Sequence, residues 1–216
     1  MSCERDQECA MLAEAAAAAG IADERVLDAI RAVPRNRFVA TEHADRAYLD
    51  VPLPIPHDQV TTQPSLVARM VEALALTGDE AVLEVGTGYG WQTALLARLS
   101  REVWSVERFA DLAETARENL CEQGVTNAHV VAGDGSEGLA QHAPFDAIVV
   151  AAAHPEVPGP LVEQLSEGGR FVQPIGPGGH EEVVLFTKEG ERLVRRRTLT
   201  GARFVRLVGA HGFATD

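Results

Sequence analysis

The chain has 216 residues, 46% of them hydrophobic and 24% charged, proportions of an ordinary globular protein with room for one layered domain and an appendage. Its formal net charge of −13 argues against a nucleic-acid binder, because phosphate contacts rely on clustered Lys and Arg. No apolar run reaches the ~18–20 residues that span a bilayer, and acidic residues stand where a signal peptide needs a basic region, so a cytoplasmic protein with no membrane partner is expected.

In chain order, the Ala-rich residues 11–19 and residues 22–33 read as two helices, punctuated by Gly20. Asp23 is placed to cap the second, whose Val26, Leu27, Ile30 and Val33 recur at helical spacing before Pro34 ends it. The run 51–64, VPLPIPHDQVTTQP, holds four prolines. Each fixes its own φ and extends the residue before it, so the run reads as neither helix nor central strand. It is a stiff, irregular segment ending in hydroxyl and amide side chains. A helix over 64–76 follows, with Leu66, Val67, Met70, Val71 and Leu74 on its buried side.

From Ala81 short apolar runs alternate with amphipathic stretches. Residues 81–85, 102–107, 128–132 and 147–151 read as strands, and 92–99, 110–123 and 158–165 as helices. Continuous apolar runs such as 146–151 suit strands buried on both faces, so the pattern predicts a parallel, doubly wound α/β sheet. After Gly168-Gly169 come strands over 170–175, 182–188 and 193–199, with a turn at 188–192, so the sheet is expected to finish antiparallel. Arg195-Arg196-Arg197, the one basic run, reads as a solvated strand face. Three cysteines (Cys3, Cys9, Cys121) form no C-x-x-C pair, which fits a reduced compartment, and Cys121 reads as packing beside Leu120. The seven histidines show no metal-ligand spacing, so no metal is expected.

The strand 81–85 runs into Gly86-Thr87-Gly88-Tyr89-Gly90 and then a helix. Glycines at such a turn admit a ligand over the carboxyl ends of the strands. A dinucleotide fingerprint needs its third glycine one place later, where this chain has Trp91, and an indole there would crowd the helix–strand contact. Carboxylates stand at three successive strand ends: Glu84, Glu107 and Asp134, the last within Gly133-Asp134-Gly135. Any one of them taken alone reads first as a helix cap or surface turn. Together around one glycine turn they suit a nucleoside with positive charge and no phosphate, S-adenosylmethionine, held in a Rossmann-like methyltransferase sheet.

At this point the chain resembles the protein-L-isoaspartate O-methyltransferases from about residue 11 to 207. The carriers are the segment 20–39, Ala47-Tyr48, Pro52–Ile55, Gln59, Gln63-Pro64, 82–88 and 133–135, then 144–150, 155–158 and Arg203-Phe204-Val205-Arg206-Leu207. The resemblance implies methyl transfer to the α-carboxylate of L-isoaspartyl residues in damaged proteins or peptides, leading through a succinimide to repair. It implies S-adenosylmethionine (leaving as S-adenosylhomocysteine) bound by Glu84, Gly86, Thr87, Gly88, Glu107, Asp134 and Gly135. It further implies a lid and acceptor site of His57, Gln59, Thr62, Gln63 and Val205, with Thr62 as the key hydroxyl. The arrangement expected is a single domain over 1–216, a helical and lid extension (1–76) on a Rossmann-like core (77–216), acting as a monomer.

Departures from the family lie in the lid, Pro56-His57-Asp58-Gln59-Val60-Thr61-Thr62, where the family commonly has Gly-His-Gly-Gln-Thr-Ile-Ser. Pro56 removes an N–H and Asp58 places a negative charge near the expected acceptor. His154 and Arg206 (proline in the family) read as facing water. A sulfonium donor and an ionised acceptor need no strong base, so His57 reads as orienting. The rival functions are a methyltransferase dedicated to one biosynthetic peptide, an NAD(P)-dependent oxidoreductase, and a cofactor-binding module without catalysis.

Overall fold

The computed structural model describes residues 2–214, with side chains from Gln7 onward. Helices α1 (Ser2–Ala18) and α2 (Glu24–Ala32) open the chain. Asp23 caps α2 by accepting from the Arg25 N–H at 2.9 Å, and Glu72 accepts from the Ala22 and Asp23 N–H groups at 2.7 and 2.8 Å. Val26, Leu27 and Ile30 bury the apolar face that their spacing predicts. Short 3-10 turns over Arg35–Arg37 and Thr41–Arg46 lead to the proline-rich run.

That run is not irregular. Strands β1 (Leu53–Ile55) and β2 (Gln59–Thr61) pair antiparallel as a separate hairpin, with Leu53 opposite Thr61 and Ile55 opposite Gln59. Proline is tolerated in edge strands, and both strands of a two-stranded ribbon are edges. The tip bends through His57 and Asp58, both in the left-handed region at φ 62° and 56°. Helix α3 (Pro64–Ala73) starts on a proline at its first position, where no N–H is needed. Its Val67, Met70, Val71 and Leu74 are buried, whereas Leu66 is only half-buried.

The main sheet comprises β3 (Ala81–Val85), β4 (Glu102–Glu107), β5 (Ala128–Ala132), β6 (Phe145–Val150), β7 (Leu165–Ile175), β8 (Glu181–Glu189) and β9 (Arg192–Ala202), in the order β5-β4-β3-β6-β7-β8-β9. Pairs from β5 to β7 are parallel and the last two antiparallel, as the apolar pattern predicts. Helices α4 (Trp91–Leu99), α5 (Ala110–Glu122) and α6 (Gly159–Gln164) make the crossovers. Strand β7 begins before the glycines: Phe145 pairs with Leu165 but Ala147 with Arg170, so Gly168-Gly169 sit in a bulge within the strand.

One apolar cluster joins α1, α2, α3 and α4 to one sheet face, and a second covers the other face. Trp91 belongs to the first. Its indole donates to the Val33 carbonyl at 3.3 Å, toward the end of α2, so it does not crowd α4 against β3. Cys121, expected to pack, is exposed, because Leu120 takes the inward position and one residue further turns about 100° round the helix. Cys9 is buried, its thiol 3.9 Å from the Tyr48 hydroxyl. Among the described residues no helix is long and apolar enough to cross a membrane.

Candidate active site

The chain leaves β3 outward to β4 and β5, then returns across the sheet to β6. The carboxyl ends of β3 and β6 therefore flank the point where strand order reverses, the usual place for a crevice. There the Gly86 N–H donates to Val106 and the Ala151 N–H to Val85, each at 2.8 Å. Gly86 has φ 95°, and a Cβ on it would lie 3.3 Å from the Ala151 Cβ, so the turn needs glycine. A cleft of about 910 Å³, counting its open mouth, lies over this turn. Its walls include Gly86, Thr87, Gly88, Glu107 and Gly135, with Ile55, Gln59 and Thr62 closing from the hairpin.

Glu107, at the end of β4, is buried and accepts from the Gly88 N–H at 2.9 Å and the Phe109 N–H at 3.1 Å, one on each carboxylate oxygen. Burial pushes its carboxyl above the usual range, partly offset by those donors. Each oxygen retains acceptor capacity toward the cleft. Val106, Leu112, Leu207 and Val208 supply an apolar wall beside it. Gly135 completes this end: a Cβ there would fall 2.4 Å from the Val85 Cγ1.

The other two acids take different positions. Glu84 is fully buried beneath the turn and is absent from the cleft wall. It accepts from Gln92 Nε2 at 2.9 Å, from the Thr93 hydroxyl and from the Ser105 hydroxyl at 2.6 Å; Ser105 is in turn 2.5 Å from the Thr87 hydroxyl. Burial pushes its carboxyl up to about 7 against those three donors. Asp134 accepts from the Ser136 N–H and hydroxyl on one oxygen and from the Ala210 N–H on the other, at 2.9, 2.7 and 2.6 Å. Burial works against its charge, but these donors outweigh it and hold the carboxyl below its usual range. It ties down the C-terminal segment, and only its neighbour Gly135 lines the cleft.

A second cleft, also about 910 Å³ with its mouth, opens behind the first. Val60, Thr62, Ala151 and Val205 line both, so these four residues form the shared wall. The Thr62 hydroxyl has no hydrogen-bond partner among the described residues. Gln63 lines the second cleft, its amide donating to Asp50 at 2.9 Å and Ser65 at 3.1 Å. Arg69 and Arg203 also line it, and among the described residues no carboxylate does. Gln59 lines the first cleft and donates to the His57 carbonyl at 2.9 Å.

His57 lines neither cleft. At the hairpin tip it stacks on Phe109, centroids 4.1 Å apart and rings 4° from parallel, and meets the Asp111 carboxylate at 2.8 Å. The contact holds the exposed Asp111 carboxyl below its ordinary value. Pro56 and Asp58 flank it there and line neither cleft, so the added negative charge stands at the hairpin tip and outside both clefts. Arg206 is exposed, its guanidinium 5.0 Å from the Phe213 ring, yet it also lines the first cleft; His154 Nδ1 donates to the Glu156 carbonyl at 2.8 Å. The basic run is solvated, Arg195 and Arg196 pairing with Glu182 and Glu189.

The residue that sequence reasoning missed is Arg35. It is fully buried under the hairpin, and its acceptors are mostly main-chain carbonyls scattered from Ala47 to Thr62, which leave no side-chain signature.

A doubly wound sheet with a glycine turn, a carboxylate at the end of the adjacent strand and a lidded cleft defines a Rossmann-like methyltransferase. The family model described as protein-L-isoaspartate(D-aspartate) O-methyltransferase matches residues 6–212. The chain belongs to that family. It is 48% identical over 211 residues to a protein-L-isoaspartate O-methyltransferase of Methanoculleus marisnigri, covering 98% of this chain and 95% of that one. It is 49% identical over 195 residues to one of Koribacter versatilis, covering 90% and 87%. A solved protein-L-isoaspartate O-methyltransferase matches with TM-score 0.83 and 29% identity over 93% of this chain and 66% of that chain, so this chain spans just under two thirds of its length. A Plasmodium falciparum structure solved with S-adenosyl-L-homocysteine shares the fold, with TM-score 0.78, 24% identity and coverage of 92% and 97%.

As a family member the chain is an S-adenosylmethionine-dependent protein carboxyl methyltransferase that acts on isoaspartyl residues. These relatives favour neither the oxidoreductase nor the dedicated-peptide reading.

Proposed function

We propose that the two clefts are the donor and acceptor halves of one methyl-transfer site, and that it repairs isoaspartyl residues in proteins at large. The observation that carries this is the shared wall of Val60, Thr62, Ala151 and Val205, where contents of the two clefts can meet. When bound, S-adenosylmethionine supplies an electrophilic methyl group on a sulfonium sulfur.

The residues present fit that donor. Glu107 has acceptor capacity for both ribose hydroxyls, Gly86 and Gly88 allow close approach, and Gly135 with the apolar wall suits the adenine. Thr87 holds the turn through Ser105 to Glu84, which acts from beneath the loop; Asp134 acts by fixing Gly135 and the C-terminal segment.

An acceptor carboxylate is already ionised at neutral pH, so the site needs alignment and dryness rather than a base. Thr62 presents its hydroxyl, Gln63 and Val205 their backbone, and Gln59 and His57 hold the lid. Arg69 and Arg203, in a cleft without carboxylates, attract an anionic acceptor despite the chain's net charge of −13. The family match and relatives named as protein-L-isoaspartate O-methyltransferases support varied damaged proteins over one fixed peptide.

A monomer is supported by how few large apolar side chains are exposed among the described residues: Met11, Leu49 and Val60. The shared apolar cluster supports one domain, with 1–76 as lid extension and 77–216 as core. The exposed Cys121 thiol supports the cytoplasm, and the net charge of −13 the absence of nucleic-acid partners.

The test is methyl transfer to an isoaspartyl peptide beside its normal-aspartyl twin, with methanol release followed as the ester collapses. Turnover of the isoaspartyl peptide alone is expected; equal or absent turnover refutes the reading. Thr62→Ala is expected to lose at least about tenfold in kcat while still binding adenosylhomocysteine.

A further inference from the structure

We propose that Arg35 is a positioning residue for methyl transfer, its guanidinium holding both legs of the lid hairpin so that Thr62 stands at the wall between the clefts. The inference rests on the reading of Thr62 as the hydroxyl that meets the acceptor carboxylate.

Arg35 is 0% exposed, and among the described residues no carboxylate lies within ion-pair distance of it; the Asp50 charge acts on it from further off. Burying an unpaired cation is costly unless its donors are satisfied. Here they are satisfied almost entirely by the lid segment. One terminal nitrogen donates to the carbonyls of Ala47 at 3.0 Å and Leu49 at 3.1 Å. The other donates to the Val51 carbonyl at 3.1 Å, the Thr61 hydroxyl at 2.9 Å and the Thr62 carbonyl at 3.3 Å. Ala47, Leu49 and Val51 lie on the approach to β1, and Thr61 and Thr62 on the exit from β2.

The same Thr61 hydroxyl accepts from the Leu53 N–H at 3.3 Å, which links the two legs directly. From below, the Arg35 guanidinium carbon lies 5.5 Å from the centroid of Trp91, the first residue of α4 after the glycine turn. The guanidinium thus joins the floor of the donor cleft to the peptide that carries Thr62.

Burial lowers its pKa to about 10, still well above neutrality, so the clamp is charged in use. Among the described residues its Nε has no acceptor, so the group is built around its two terminal nitrogens. A lysine ammonium is one compact donor centre and cannot span five acceptors on two chain segments. Opening the hairpin would strip these bonds from a buried charge, which favours a lid fixed at its base.

The test compares Arg35→Lys, Thr61→Val and the double variant with the wild type. Fold is checked by circular dichroism, donor-site integrity by calorimetry with adenosylhomocysteine, and catalysis by kcat and KM on an isoaspartyl peptide. Each single variant is expected to lose about fivefold or more in kcat with adenosylhomocysteine Kd changed less than about threefold and peptide KM less than kcat. The double variant is expected to be no slower than the slower single one, since both remove one connection.

A kcat loss smaller than fivefold in either folded single variant, a matching loss of adenosylhomocysteine affinity, or additive losses in the double variant would each overturn the inference. Should Arg35→Lys fail to fold, Thr61→Val alone decides by the same kcat and Kd criteria. An inactive wild type, or an unimpaired Thr62→Ala, removes this inference together with the reading it rests on. An active wild type with a slow Thr62→Ala and unimpaired Arg35 and Thr61 variants removes this inference alone.

Discussion

Glu84 and Glu107 are both carboxylates at the glycine turn, and their surroundings give them separate tasks. Glu107 spends one acceptor site per oxygen on backbone N–H groups and faces the cleft. Glu84 faces inward, where Gln92, Thr93 and Ser105 enclose it. With its carboxyl raised to about 7, its favourable contribution to stability is complete below the ordinary carboxylate range and is lost as pH rises through about 7. Glu84→Gln removes that titration. Between about pH 5 and pH 8, urea denaturation is expected to show the stability difference moving in the variant's favour, by at most about 3 kcal/mol. A difference that stays flat over that range would show that Glu84 does not titrate there.

At the scale of elements, the hairpin is held at two ends by different forces. Its base is gripped by a buried charge, and its tip rests on the start of α5 through the exposed His57–Phe109 stack and the His57–Asp111 contact. An aromatic pair contributes about 0.5–1.5 kcal/mol beyond area burial. The tip is therefore the weaker hold and the natural point of opening. Phe109→Ala is expected to speed adenosylhomocysteine dissociation by about threefold to tenfold with thermal stability nearly unchanged, since a contact of that size corresponds to such a factor. Stopped-flow displacement measures it, and an unchanged off-rate would show that the tip does not retain the ligand. These contacts suit the proposed role of His57 in orienting the lid, in a reaction that needs no base.

Across the whole molecule, Trp91 is the joint. It begins α4 directly after the glycine turn, donates to the end of α2 and lies within the cluster that joins the N-terminal helices to the sheet. Trp91→Ala is expected to cost about 3–5 kcal/mol and to lower the urea midpoint in one cooperative transition. Two resolved transitions would mean that the N-terminal helices and the sheet unfold as separate units. A continuous core also gives the lid a rigid base, because α3, which follows β2 directly, packs in the same cluster.

The chain's own pattern specified the parallel order of secondary structure, and strands 81–85, 102–107 and 128–132 lie where their apolar runs place them. It also marked the glycine turn and the acid at the end of strand 102–107, since backbone freedom and strand ends are properties of neighbouring residues; Thr62 was singled out only through the family resemblance. The hairpin was illegible because proline reports only local restriction, while pairing of β1 with β2 depends on which edge remains unpaired. Only tertiary structure turned Glu84 inward and closed Asp134 onto the C-terminal segment, because their donors come from other elements. Likewise only tertiary structure made Arg35 a clamp: a buried cation is settled by whichever carbonyls the fold brings round it, and those lie up to 27 residues away in the chain.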